Sequence, residues 1–178
     1  MRVFYAITFK RESKEKLALY RDTLINQTLK GKFIETDNFH LTLEFIGDIK
    51  VADLPTYENI LDELPLSKPT LKVVHVGTFP KKNRAILWLG LKRDTTLNQL
   101  VQNIRLLMSS YDLECDKRKY QAHITLGRQV LLSHSLEDFI LPPLTLEVES
   151  VALMHSHRVH DRLTYEPIYQ KFFNNSRF

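Results

Sequence analysis

The chain has 178 residues, 43% of them hydrophobic and 26% charged, with a formal net charge of +4. That length and apolar content suit one domain, or two small lobes sharing a core, and the mild positive charge tolerates a polyanionic partner without demanding one. A single cysteine, Cys115, excludes an intramolecular disulfide and a thiolate cluster for zinc, so a reducing, cytoplasmic setting is expected. The first apolar run, Val3 to Phe9, is too short to span a membrane and lacks the pattern of a signal peptide.

In chain order, Val3 to Phe9 reads as a strand. About Ser13 to Leu29 reads as a helix, with Leu17, Ala18, Leu24 and Ile25 on one face and Lys, Arg and Glu on the other, stopped by Gly31. Lys32 to Glu35 fits a short strand before an Asp37-Asn38 turn, and Phe39 to Ile46 a strand ending at Gly47-Asp48. Val51 to Leu64 predicts a shorter helix closed by Pro65, Thr70 to Phe79 a strand, and Arg84 to Leu91 a strand holding the only tryptophan, Trp88. Thr95 to Tyr111 is the clearest helix: Leu97, Leu100, Val101, Ile104, Leu107, Met108 and Tyr111 form one apolar stripe. A polar and basic stretch leads into the strand at Ala122 to Leu126. Leu144 to Met154 and Leu163 to Phe173 predict two last strands, joined by a loop rich in His and Arg.

One short pattern is written twice. His40-Leu41-Thr42-Leu43 returns 83 positions later as His123-Ile124-Thr125-Leu126, each time within a strand. Side chains alternate faces along a strand, so each copy offers one imidazole and one hydroxyl side by side, backed by apolar residues. The same offset carries Val3 to Ala6 onto Ile86 to Leu89, and Leu17, Ala18, Leu24 and Ile25 onto Leu100, Val101, Leu107 and Met108. Residues 1–178 therefore read as one bilobal α+β domain with an internal repeat at about 2–47 and 85–130. The lobes are expected to be pseudo-symmetric antiparallel sheets with outer helices, the two motifs facing one cleft.

Two imidazoles with pKa values near neutrality can supply a base and an acid together, as phosphodiester cleavage requires. The threonine hydroxyls can donate to the non-bridging phosphate oxygens, where hydrogen bonds to an anion are strong. One His-x-Thr on a strand is more often structural than catalytic; two in repeated contexts reverse that balance.

These motifs resemble those of the two-histidine (2H) phosphoesterases, and within them the RNA 2′,3′-cyclic phosphodiesterases, historically called 2′–5′ RNA ligases. The likeness extends over Arg2 to Ile7, Asn38 to Gly47, Gly77 to Pro80 running into Ile86 to Gly90, and His123 to Arg128. It implies a bilobal fold, metal-independent hydrolysis of an RNA or nucleotide 2′,3′-cyclic phosphate to a 2′-phosphate, and His40 and His123 as the catalytic pair. By the same resemblance His40 protonates the departing 3′ oxygen, His123 activates water, and Arg128 joins Thr42 and Thr125 at the phosphate. The residues alone do not order the two histidines. Two other readings stay open, namely 2′–5′ ligation by the same groups and a non-catalytic RNA-binding module of the same fold. No cofactor, metal or membrane is expected, and the protein is expected to be a monomer.

Strict alternation raises two questions. It puts Arg128 on the face opposite His123 and Thr125, unless the strand twists at Gly127. It also puts Glu44, where many relatives carry Lys or Arg, beside His40 and Thr42, either repelling phosphate or raising the pKa of His40. Lys117, Lys119 and Tyr120 precede the second motif and are candidate RNA contacts. The run His155-x-His157-x-x-His160-Asp161 holds ligand-type side chains, but loop histidines without a partner cluster are usually solvated.

Overall fold

A computed structural model describes residues 1–174. Two antiparallel sheets carry the molecule. Sheet A has the order β3-β1-β8-β9, built from His40–Asp48, Arg2–Phe9, Val148–Val159 and Arg162–Phe172. Sheet B has the order β2-β6-β5-β4-β7, built from Thr28–Phe33, His123–Leu132, Arg84–Leu91, Leu71–Lys81 and Leu144–Leu146. Among the described residues the sheets are joined by three helices, α1 (Arg11–Ile25), α2 (Leu54–Glu63) and α3 (Thr95–Ser110), and two 3₁₀ turns at Thr36–Asn38 and Val51–Asp53.

Strand β1 is central in sheet A and is covered on both sides. Val3, Tyr5, Ile7 and Phe9 enter the main core with Leu17, Leu24, Leu87, Leu89, Leu100 and Ile104. Its alternate residues Phe4 and Ala6 form a second, smaller cluster with Ala152 and Met154. The Leu97–Leu100–Val101–Ile104–Met108 stripe of α3 is buried as its spacing predicts, and Asp94 caps the helix by accepting the Leu97 N–H at 2.7 Å.

The expected elements are present, with corrections: the strand expected at Leu144 to Met154 is two, β7 in sheet B and β8 in sheet A. Helix α1 ends at Ile25 rather than Leu29, and the strand expected at Lys32 to Glu35 starts earlier, at Thr28. The Thr28 hydroxyl donates to the Ile25 carbonyl at 2.7 Å, and Thr28 to Phe33 then pair along β6. A partner strand about a hundred residues away overrides the local helical preference. Likewise the His- and Arg-rich segment is not a loop: β8 runs to Val159, and only His160 and Asp161 turn, both at left-handed φ (47° and 62°).

The sheets do not divide the sequence in half. Sheet A takes β1 and β3 from the start of the chain and β8 and β9 from its end, whereas β2 crosses to sheet B. Both motif strands lie beside a central strand, β3 along β1 and β6 along β5.

Candidate active site

Each motif histidine is the first residue of its strand. His40 stands opposite Thr8 and His123 opposite Gly90. In each, ring Nδ1 bonds the backbone carbonyl two residues back: Asn38 at 2.7 Å for His40, Gln121 at 2.8 Å for His123. A carbonyl only accepts, so Nδ1 carries the proton in both rings, and Nε2 is left with the lone pair for chemistry. Thr42 and Thr125 follow on the same faces, opposite Ala6 and Trp88.

Aromatic rings from other strands hold the imidazoles. The His40 ring lies 5.0 Å from Phe4 and 4.7 Å, edge-on, from Tyr165. The His123 ring meets Phe79 edge-on at 5.1 Å and Trp88 at 6.1 Å. Gly77 is what admits Trp88 here, since a Cβ at that position would fall 2.3 Å from the indole. Asn38 does double duty on the other side. Its amide nitrogen donates to the Leu163 carbonyl at 2.9 Å, and its side-chain oxygen accepts the Tyr165 N–H at 3.2 Å. One residue thus fixes both the tautomer of His40 and the strand that carries its aromatic neighbour.

Burial pushes the His40 pKa down to about 4, outweighing the bond to the Asn38 carbonyl, and the charges of Arg128 and Lys14 act in the same direction. His123 is also lowered, by burial first and then by Arg128. The guanidinium of Arg128 therefore acts on both histidines.

Its route to that face is a β-bulge. Between Thr125, opposite Trp88, and Gly127, opposite Leu87, residue Leu126 is unpaired. The extra residue reverses the alternation, so Gly127 faces the core and Arg128 returns to the face of His123 and Thr125. Strand β3 carries the same bulge at Leu43, between Thr42 and Glu44. Glu44 consequently faces the core, not the cleft: it is 2% exposed, bonded to Arg105 Nε at 2.7 Å, and accepts the Asp116 N–H at 2.5 Å. The expectation that Glu44 repels phosphate or raises the His40 pKa is thereby corrected. Phe45, the positional counterpart of Arg128, emerges on the cleft face with Arg2 over its ring at 5.2 Å.

Among the candidate RNA contacts, Lys117 and Lys119 are exposed. Tyr120 is half-buried against the core and donates its hydroxyl to the Thr42 carbonyl at 2.9 Å, a brace between the two motif strands. Asn38, Tyr165, Phe79, Trp88 and Lys14 are site neighbours that sequence reasoning did not single out for the site. Asn38 had a signal in its place two residues before the first histidine, and Phe79 and Trp88 lay within the stretches of family likeness.

Two antiparallel sheets with paired His-x-Thr strands define the class, a two-histidine phosphoesterase fold. The family described as LigT like Phosphoesterase matches residues 7–88, and the 2′-5′ RNA ligase superfamily matches residues 56–160. The chain belongs to the 2′-5′ RNA ligase superfamily. It is similar to the RNA 2′,3′-cyclic phosphodiesterase of Methanocaldococcus jannaschii, 28% identical with 72% of this chain and 71% of that protein covered. The protein of that name from Thermotoga maritima is 24% identical, with 96% and 94% covered. Among solved structures, Escherichia coli LigT complexed with 3′-AMP superposes with a TM-score of 0.78 at 23% identity over 98% of both chains. A Thermus thermophilus protein gives 0.76 at 20% identity, covering 99% and 100%.

Proposed function

We propose that the protein is an RNA 2′,3′-cyclic phosphodiesterase, opening a 2′,3′-cyclic phosphate to a 2′-phosphate by paired histidine catalysis without a metal. The observation that carries this reading is the identical anchoring of His40 and His123, which leaves one Nε2 on each side of the site. Curated relatives named for the same activity support it.

In this reaction one imidazole takes a proton from water as its oxygen attacks phosphorus, opposite the bond to the 3′ oxygen. That bond breaks, and the other imidazole gives the 3′ oxygen its proton. Thr42, Thr125 and Arg128 hold the non-bridging oxygens as charge builds on them. Lys117 and Lys119 meet the RNA backbone, with Tyr120 as a brace for the strand. His123 is the base and His40 the acid in the order the family resemblance implies. Burial lowers the pKa of both histidines, that of His40 to about 4, which makes His40 the harder of the two to protonate before substrate binds and favours the reverse. In the first order the anionic phosphate itself must supply the counter-charge that protonates His40.

The same reading takes the protein as a single cytoplasmic, monomeric bilobal unit built on a repeat at about 2–47 and 85–130. The shared order of strand, helix and motif strand (β1-α1-β3 and β5-α3-β6) and the shared bulge support the repeat.

The deciding experiment is turnover of 2′,3′-cyclic mononucleotides and of short RNAs with cyclic ends, in saturating chelator, with the product identified by phosphorus NMR. A 2′-phosphate formed in chelator is the expected result. Absence of turnover on every base would leave an RNA-binding module, and loss on chelation would remove the metal-free mechanism. Incubating 2′–5′-linked and cyclic-ended RNAs separately, to equilibrium, measures how far ligation competes.

A further inference from the structure

The face of sheet A turned away from the cleft holds a second cluster of titratable groups. Along β8, Ala152 and Met154 share the cleft side with Phe4 and Ala6, against which Tyr165 packs, whereas Val151 and Leu153 enter the main core. His155 and His157 continue that second face beyond the point where the core ends. Strand β9 places Glu166 directly opposite His155, so its carboxylate lies on the same face.

The three side chains converge. The imidazoles stack with centroids 4.6 Å apart and planes 19° apart, and one ligand atom from each of the three residues lies within 4.8 Å of the others. Their mutual bonding is incomplete. His157 Nε2 stands 3.9 Å from the Glu166 carboxylate, too far for a hydrogen bond, and His157 Nδ1 is buried with no partner. Two stacked imidazoles and a carboxylate thus share one face of the sheet as ligand-type groups that are not hydrogen-bonded to one another.

We propose that His155, His157 and Glu166 bind one divalent transition-metal ion, of the zinc type, on the outer face of sheet A and apart from the reaction cleft. Two imidazole nitrogens and one carboxylate oxygen suit zinc, cobalt, nickel or copper, and not magnesium or calcium, which take oxygen ligands. With bonds of about 2.0–2.1 Å, ligands of a tetrahedral ion sit roughly 3.3 Å apart. The ligand atoms, now within 4.8 Å of one another, would have to close to that spacing on binding. The side chains of His157 and Glu166 remain 27% and 62% exposed, leaving an entry path and room for a water as fourth ligand. The ion would tie β8 to β9, the hairpin whose opposite face presents Tyr165 to His40.

The test uses the untagged full-length chain, stripped with chelator and titrated with cobalt(II), then zinc(II). Expected are saturation at one cobalt per chain, with visible absorption bands of a low-coordinate site that zinc displaces, and a rise in melting temperature with either metal. His155→Ala and His157→Ala should each weaken binding at least about tenfold, the scale on which a lost metal-site contact acts. Glu166→Gln should do the same, His160→Ala should change nothing, and circular dichroism checks that each variant folds. Because the catalytic histidines could bind cobalt themselves, His40→Ala and His123→Ala are included and should leave the stoichiometry unchanged. No saturable cobalt binding by the wild-type chain at about millimolar metal overturns the proposal, whatever the variants do. So does binding that survives loss of His155 and His157 together, or that disappears with His40 or His123.

Discussion

The carboxylate of Glu44 lies 2.7 Å from Nε of Arg105, beneath the strand that carries His40. Its other oxygen takes the Asp116 N–H, in the segment that leads to His123. A single buried carboxylate therefore fastens β3, α3 and the approach to β6. The Tyr120 hydroxyl, donated to the Thr42 carbonyl, adds a second tie between the same strands. Apolar packing is non-directional and leaves room for the two motif strands to slide past each other. Hydrogen bonds to a buried anion have fixed partners, and here they join the strand of His40 to the segment leading to His123.

That arrangement predicts an asymmetric pair of variants. Arg105→Ala leaves the Glu44 carboxylate buried with only the Asp116 N–H, and should destabilise by roughly 3 kcal/mol, the low end of the range for an abandoned buried charge because Arg105 is partly exposed. Glu44→Gln keeps an acceptor for Asp116 and should lose only about 1–2 kcal/mol. Urea denaturation of both variants checks the order. Equal losses would mean that the carboxylate is solvated and ties nothing together.

Much of this was legible in the sequence, and the failures share one physical cause. The His-x-Thr strands and the α3 stripe were readable because their periodicity is local and their apolar faces are buried. The bulges at Leu43 and Leu126 were not, since an extra residue is defined only against the neighbouring strand. They reverse the faces assigned to Glu44 and Arg128. Gly127 alone hinted at the second. Strand β2 and the aromatic neighbours Tyr165, Phe79 and Trp88 depend on pairings far along the chain, which no local pattern encodes. The histidines at 155 and 157 looked like loop residues because their partner, Glu166, is brought to them only by the β8–β9 register.

Stability should fall in mild acid partly through His40. Its folded pKa, about 4, is depressed below the unfolded value of about 6.5. As the pH drops from about 6.5 to 4, the unfolded chain takes up a proton that the folded chain refuses, so stability present above that window is lost within it. The contribution is up to about 3 kcal/mol, and the lowered His123 adds to it with the same sign. Carboxylates titrate in the same range, so the readout is the difference between wild type and His40→Gln in urea melts from pH 7.5 to 4. The variant should show the shallower slope. Parallel curves would mean that His40 keeps an ordinary pKa in the fold.

Thr42 and Thr125 should act on the reaction through one hydroxyl each. Valine keeps the β-branched shape and the strand preference while removing the donor. Thr42→Val and Thr125→Val are each expected to lose roughly 10- to 1,000-fold in kcat, the order found for one oxyanion donor, with little change in melting temperature. Normal kinetics in both folded variants would turn the hydroxyls away from the phosphate and leave Arg128 as its main ligand.

The acid and base assignments are tested by the two histidines together. If both act on one phosphate, kcat/KM should be bell-shaped in pH, one limb set by the base losing its proton and the other by the acid losing its own. A variant lacking the acid keeps only the rising limb, and one lacking the base only the falling limb. This holds even where the acid has the lower pKa of the two, so the depression of His40 does not confuse the result. With His40 as acid, His40→Ala removes the falling limb and His123→Ala the rising one; the opposite outcome assigns His40 as base, as its burial favours. Each single substitution should lose on the order of 10²- to 10⁴-fold in rate. The double variant should lose far less than the product, because groups serving one step are not additive. Leu41 and Ile124 point into the core, so substitutions there should change the melting temperature and leave the pH profile alone. Fully multiplicative losses, or a bell that persists in both single variants, would show that the histidines do not share a substrate, and the paired mechanism would have to be abandoned.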